Sequence, residues 1–166
     1  MKNTSYSLTA EVVVPESGAE GVILAQGGVS GGQTLYAKGG KPKYCYNFFG
    51  LERYYVEGQS KIPPGKHQVR MEFAYDGGGV GKGGTVTLYI DGNAVGDGRL
   101  EQIEALYFSA DETCDVGNEY GSPVTTDYGQ RKFSGDVNWV EIDLGLDDHN
   151  HMIKPEDRVN LAMAFQ

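Results

Sequence analysis

The sequence predicts an all-β fold, two antiparallel sheets packed as a sandwich, with a short helix at its C-terminal end. Three observations predict it. Apolar and polar residues alternate with period two through most of the chain. Glycine is about twice as abundant as usual, with 25 among 166 residues, and it falls in turn-forming clusters between the alternating runs. Helical periodicity is confined to the end of the chain.

In SLTAEVVV, Leu8, Ala10, Val12 and Val14 share one face, and Thr9 and Glu11 the other. HQVRMEFAY sets Val69, Met71, Phe73 and Tyr75 against Gln68, Arg70 and Glu72, which predicts a half-buried strand of an antiparallel sheet. TVTLYID repeats the pattern, with Val86, Leu88 and Ile90 inward. KYCYNFF, ERYYVE, LYFS and WVEIDL add strands, for roughly nine to twelve in all by spacing. KGGKP at 38–42, PPGK at 63–66 and DGN at 91–93 are the turns. FSGDVNWVEIDL changes phase: Val137 and Trp139 share one face, while Val140, Ile142 and Leu144 share the other, which predicts a bulge or a strand covered on both sides. Residues 1–166 form one domain, with 150–166 as linker and helix. Pro155 suits the first helical turn, Glu156 and Asp157 the positive end of its dipole, and Val159, Ala162 and Met163 an apolar stripe expected to dock on a neighbour.

Two glycine stretches imitate phosphate loops. GGVSGGQT places Gly27, Gly32 and Thr34 in P-loop register, but Gln33 stands where the lysine belongs. Gly79, Gly81 and Gly84 match G-x-G-x-x-G, and Val86 completes a kinase-like extension. Phosphate loops of the first kind need a helix to follow, and here strands follow both. The kinase kind needs an H-R-D loop and a D-F-G segment, which the chain lacks. Both stretches therefore read as connections.

The net charge of -9 argues against a nucleic-acid partner. No run approaches the ~18 apolar residues of a membrane span. MKNTSYSL has no apolar signal core. Cys45 and Cys114 are too few for a zinc site and are expected to be unbridged. No G-x-S-x-G elbow or HExxH appears, and DDHNH at 147–151 reads as a solvated polar linker. The densest acidic stretch carries Asp111, Glu112, Asp115, Glu119 and Asp127 in an irregular loop. Those hard oxygen donors suit Ca²⁺, with an acidic surface loop as the plainer reading. Tyr44, Tyr46, Tyr54 and Tyr55 with Arg53 are candidates for a ligand-stacking platform, with ordinary strand packing as the alternative.

GVILAQGG, LYAKGGKPKYCYNFFGLERY, PPGKHQVRMEFAYDGGGVGKGGTVTLYIDG, SADETCDVG and FSGDVNWVEIDLG together resemble the C-terminal domain of large bacterial arylsulfatases. The resemblance runs almost from end to end. It implies a concanavalin A- or laminin G-like jelly roll and a type I sulfatase parent, a Ca²⁺-dependent hydrolase with a formylglycine nucleophile. That nucleophile arises in a Cys/Ser-x-P-x-R motif, whereas Cys45 precedes YNFF and Cys114 precedes DVGN. No catalytic residue carries over, and the start at MKNTSYSL is expected to mark a fragment or a stand-alone relative of the accessory domain. The resemblance thus implies a non-catalytic domain that packs on a sulfatase catalytic domain. A lectin-like module for carbohydrate or a sulfated ligand is the alternative; the charge of -9 disfavours the sulfated case unless Lys41, Lys43 and Arg53 cluster. A free-standing enzyme has no motif behind it, and the oligomeric state is not legible.

Overall fold

The alternating runs become ten strands in a computed structural model that describes residues 2–106, 113–145 and 151–156. They are β1 (Tyr6–Val14), β2 (Gly21–Gly28), β3 (Gly31–Lys38), β4 (Lys41–Phe48), β5 (Glu52–Glu57), β6 (Gly65–Tyr75), β7 (Lys82–Ile90), β8 (Asn93–Gln102), β9 (Cys114–Val116) and β10 (Asp136–Leu144). One sheet has the order β10-β1-β6-β7-β8 and the other β5-β4-β3-β2-β9. Every neighbouring pair is antiparallel.

The turns follow their chemistry. Gly39 and Gly40 (φ 59° and 82°) close β3 to β4, and Asp91 and Gly92 (φ 49° and 78°) close β7 to β8, the left-handed pair that a two-residue hairpin requires. The phase change in β10 is a bulge. Glu11 pairs with Trp139 but Val12 with Val137, so Asn138 is the extra residue. Val137 and Val140 thereby both reach the core.

β8 has no clean alternation because it closes one side of the sandwich against β5. A Cβ at Gly98 would lie 2.7 Å from Val56 Cγ2, and one at Gly96 2.5 Å from Glu57 O, so only glycines permit the approach. In the stretch that imitates a kinase loop, Gly84 is a β7 residue seated on the Phe73 ring. LYFS, expected as a strand, has Leu106 outside any strand, and its other residues lie outside the described part.

Between the sheets lies the main core, including Leu8, Val12, Ile23, Leu35, Met71, Phe73, Val86 and Leu100. Tyr6 and Tyr44 both donate to Gln33 Oε1, at 2.5 and 2.8 Å, and their hydroxyls lie 3.1 Å apart. These buried polar groups satisfy one another, as an interior requires.

The outer face of the first sheet is less open than alternation suggests. Arg70, expected to face solvent, is buried and donates to Glu72 Oε1 (2.7 Å) and Thr9 Oγ1 (2.6 Å). His151 stacks on Tyr89 with centroids 4.4 Å apart and hydrogen-bonds Glu72 at 2.7 Å. Ile153 is buried, and its backbone N–H and C=O both bond the Gln68 amide, at 2.9 and 2.6 Å. The expected solvated linker is thus docked on the sheet at its last residue; 147–150 lie outside the described residues. A helix begins at Pro155 and Glu156, and the stripe of Val159, Ala162 and Met163 lies beyond the described residues.

Candidate functional site

Alternation on the second sheet sends Leu35, Ala37, Tyr44, Tyr46 and Val56 into the core and turns Tyr36, Lys38, Lys43, Cys45, Arg53 and Tyr55 outward. That outer face is covered. After β9 the chain crosses it as an irregular strap, 118–133, and Val124 packs with Val22, Ala25, Tyr36 and Cys45 in a second, smaller core. Tyr128 adds an edge-to-face contact with Tyr36 at 5.0 Å.

Polar contacts fasten the strap. Arg53 Nε donates to Val124 O (3.0 Å), and the Tyr55 and Thr125 hydroxyls lie 2.6 Å apart. Asp127 accepts from Tyr36 OH, Lys38 Nζ and Lys43 Nζ, each at 2.7 Å. Lys43 also pairs with Glu57 at 3.3 Å, and Lys41 with Glu57 at 3.4 Å. Partial burial alone would raise the Asp127 pKa. The hydrogen bonds from Lys38, Lys43 and Tyr36 outweigh it and hold the carboxyl well below the usual range. Burial pushes the Cys45 thiol up to about 12, so it is inert as a nucleophile.

The expected stacking platform does not assemble, because the strand period divides its members between two faces. Tyr44 and Tyr46 are buried in the core, and Tyr54 packs against it with its hydroxyl donating to Glu52 Oε2 at 2.7 Å. Tyr55 and Arg53 face outward, half-exposed and partly buried respectively, and they hold the strap. Lys41 and Lys43 do share a neighbourhood with Lys38, and each of the three is paired with Asp127 or Glu57.

The candidate calcium ligands part company in the same way. Asp127 serves two lysines. Glu119 is buried, accepts from Val124 N (3.0 Å) and Tyr128 OH (3.3 Å), and has its pKa raised by desolvation. Asp115 accepts from Tyr120 N at 3.0 Å. Asp111 and Glu112 lie outside the described residues. Among the described residues no three His, Cys, Asp or Glu side chains converge on one point. Both cysteines are free thiols, Cys45 buried and Cys114 exposed.

Sequence reasoning missed the Tyr36–Lys38–Lys43–Asp127 cluster. Half of it was legible, since alternation in β3 and β4 puts Tyr36, Lys38 and Lys43 on one face. Asp127 arrives from about 90 residues away with no periodic signal.

No protein-family model matches the sequence, and no curated protein sequence does. Solved structures do match by shape. A heptameric SAP-like pentraxin from Limulus polyphemus aligns with a TM-score of 0.55 at 17% identity, covering 89% of this chain and 67% of that one. Domains LG4-5 of the mouse laminin alpha1 chain align at 0.58 and 13% identity, over 85% of this chain and 36% of that one. The CBM40 of the Ruminococcus gnavus IT-sialidase, in a structure with bound alpha2,3 sialyllactose, aligns at 0.54 and 11% identity, over 95% of this chain and 82% of that one. At such identities the likeness concerns fold alone. The chain has the jelly-roll β-sandwich fold of the laminin G, pentraxin and CBM40 type.

Proposed function

We propose that this chain is a non-catalytic accessory domain of an arylsulfatase, packing on the sulfatase catalytic domain. The family comes from the sequence resemblance. The observation that carries the non-catalytic, non-lectin part is the closure of the second sheet's outer face: Val124 and Tyr128 fill it, and Asp127 engages Lys38 and Lys43. Sulfate-ester cleavage needs a nucleophile and cations free to hold the sulfate. Here Cys45 is sealed with a raised pKa, and Lys38 and Lys43 are already engaged.

A second reading is a carbohydrate-binding module. The CBM40 of similar fold holds sialyllactose, and in this chain Tyr55 stands half-exposed beside Arg53 at the strap's border, a place where a sugar ring would stack.

One experiment bears on both readings. The purified chain is expected to turn over 4-nitrophenyl sulfate no faster than a heat-killed control, and to show no calorimetric signal with millimolar sialyllactose. Turnover above the control would overturn the non-catalytic assignment. Sialyllactose binding that Tyr55→Ala abolishes would favour the second reading.

A further inference from the structure

The two sides of the sandwich are finished differently. On one side β5 and β8 close on each other, with Gly96 and Gly98 leaving room for Glu57 and Val56. On the other side stand β9 and β10, the outermost strands of their sheets. β9 has three residues, whereas β10 has nine and pairs with β1 alone among the described residues. β10 therefore turns a row of backbone N–H and C=O groups outward. Such an edge is a template for a further strand unless something blunts it. The bulge at Asn138 blunts its N-terminal part. From Trp139 to Leu144 the register is regular, and Glu11 to Tyr6 follow it one for one.

Side chains along this regular stretch fall in two rows. Val140, Ile142 and Leu144 lie opposite Ala10, Leu8 and Tyr6, so they belong to the core face. Val140 packs against the core, but Ile142 is 38% exposed and Leu144 66%, and no described strand lies beyond β10 to cover them. Trp139, Glu141 and Asp143 lie opposite Glu11, Thr9 and Ser7 on the outer face. With Glu11 that row carries three carboxylates, and β10 contains no lysine or arginine. Of the cations on β6, Lys66 stands 3.8 Å from Glu11 and Arg70 pairs with Glu72. The edge is thus aliphatic on one face and acidic on the other.

We infer that β10 is a docking edge for an extended peptide strand in which apolar residues alternate with lysine or arginine. The ladder bonds come from backbone, which any sequence provides, and the side chains supply the selection. Apolar residues of the incoming strand extend the core face beside Val140, Ile142 and Leu144. Its basic residues meet Glu141, Asp143 and the Trp139 ring, as cross-strand ion pairs and cation–π contacts require. The same charges argue against a second copy of this chain. Two antiparallel β10 strands would set Glu141 and Asp143 against their own kind, and like charges directly opposite are destabilising. The net charge of -9 adds to that repulsion. The inference does not rest on the accessory-domain reading, since it uses only the residues of the edge.

The test is fluorescence anisotropy of the whole chain at low salt with the labelled, amidated hexapeptide Lys-Val-Lys-Val-Lys-Val. This probe should bind and its Glu-Val counterpart should not. Salt at about 1 M, where the Debye length falls to roughly 3 Å, should weaken the binding several-fold. A strand donates its ladder bonds from alternate residues. Of two further probes, one N-methylated at its valines and one at its lysines, one should therefore bind and the other fail. Leu144→Lys, at a mostly exposed side chain, should leave the melting temperature unchanged and weaken the Lys-Val probe by about tenfold. No binding of the Lys-Val probe would overturn the inference. Equal binding by the two N-methylated probes, or by wild type and Leu144→Lys, would do the same. A dimer in sedimentation velocity that Leu144→Lys dissolves would put a second copy on the edge and refute the basic partner.

Discussion

Asp127→Ala is expected to lower the unfolding free energy by about 2–4 kcal/mol at neutral pH, although Asp127 sits on an irregular segment and is only partly buried. Hydrogen bonds to charged groups contribute ~1.5–3 kcal/mol each, and removing one partner leaves the others uncompensated. Here Lys38 and Lys43 would lose a common counter-ion and Tyr36 its acceptor. The effect carries a pH signature. The folded-state pKa of Asp127 lies below its unfolded value, about 3.9 in model peptides. Its stabilisation is therefore complete above that value and is lost as pH falls through the folded-state pKa. Urea unfolding should separate wild type from Asp127→Ala widely at pH 7 and less and less below about pH 4. Asp127→Asn, which keeps the shape and removes the charge, should fall between them at pH 7. A gap between wild type and Asp127→Ala that stays constant from pH 7 to pH 2 would rule out the carboxylate as the source of the stability.

The second large effect lies in the stretch that imitates a nucleotide loop. Gly84→Val should cost at least about 3 kcal/mol, because overpacking that involves backbone falls at the upper end of such losses. A Cβ at residue 84 would lie 2.3 Å from Ala74 O and 2.6 Å from the Phe73 ring. In a chain of this size the melting temperature should drop by roughly 6–12 °C. An unchanged melt would return Gly84 to a loop and reopen the phosphate reading.

Gly84 also illustrates what the sequence could and could not convey. Period-two alternation read in β1, β6 and β7 placed their core faces correctly, since side-chain direction in a strand is a local property. The phase change in β10 was legible as a bulge for the same reason. β8 was not, because Gly96 and Gly98 are there to accommodate β5, a partner distant in the chain. The same limit governs the site. Tyr44, Tyr46, Tyr54 and Tyr55 look like one aromatic cluster in KYCYNFFGLERYY, yet alternation alone separates Tyr55 from the other three. What seals the outer face could not be read, because Val124 and Asp127 belong to a strap without periodicity and meet their partners only in three dimensions. Glu104 is the extreme case. Nothing in its local sequence marks a carboxylate that is fully buried and supports a turn some 55 residues earlier.

The proposed non-lectin role depends on the strap's keeping the second sheet's outer face closed. Cys45 reports on the closure directly, since its thiol lies beneath Val124 in the second core, while Cys114 is exposed at the start of β9. Native protein treated with 5,5′-dithiobis(2-nitrobenzoate) should release one equivalent promptly, from Cys114. Burial and the neighbouring Asp115 raise that thiol's pKa and slow its reaction without preventing it. The second equivalent should appear only at the rate of global unfolding, with two in total after denaturation. Prompt release of two equivalents from the native chain, or release from Cys45 accelerated by sialyllactose, would show that the strap opens and that the face beneath it is available to a ligand.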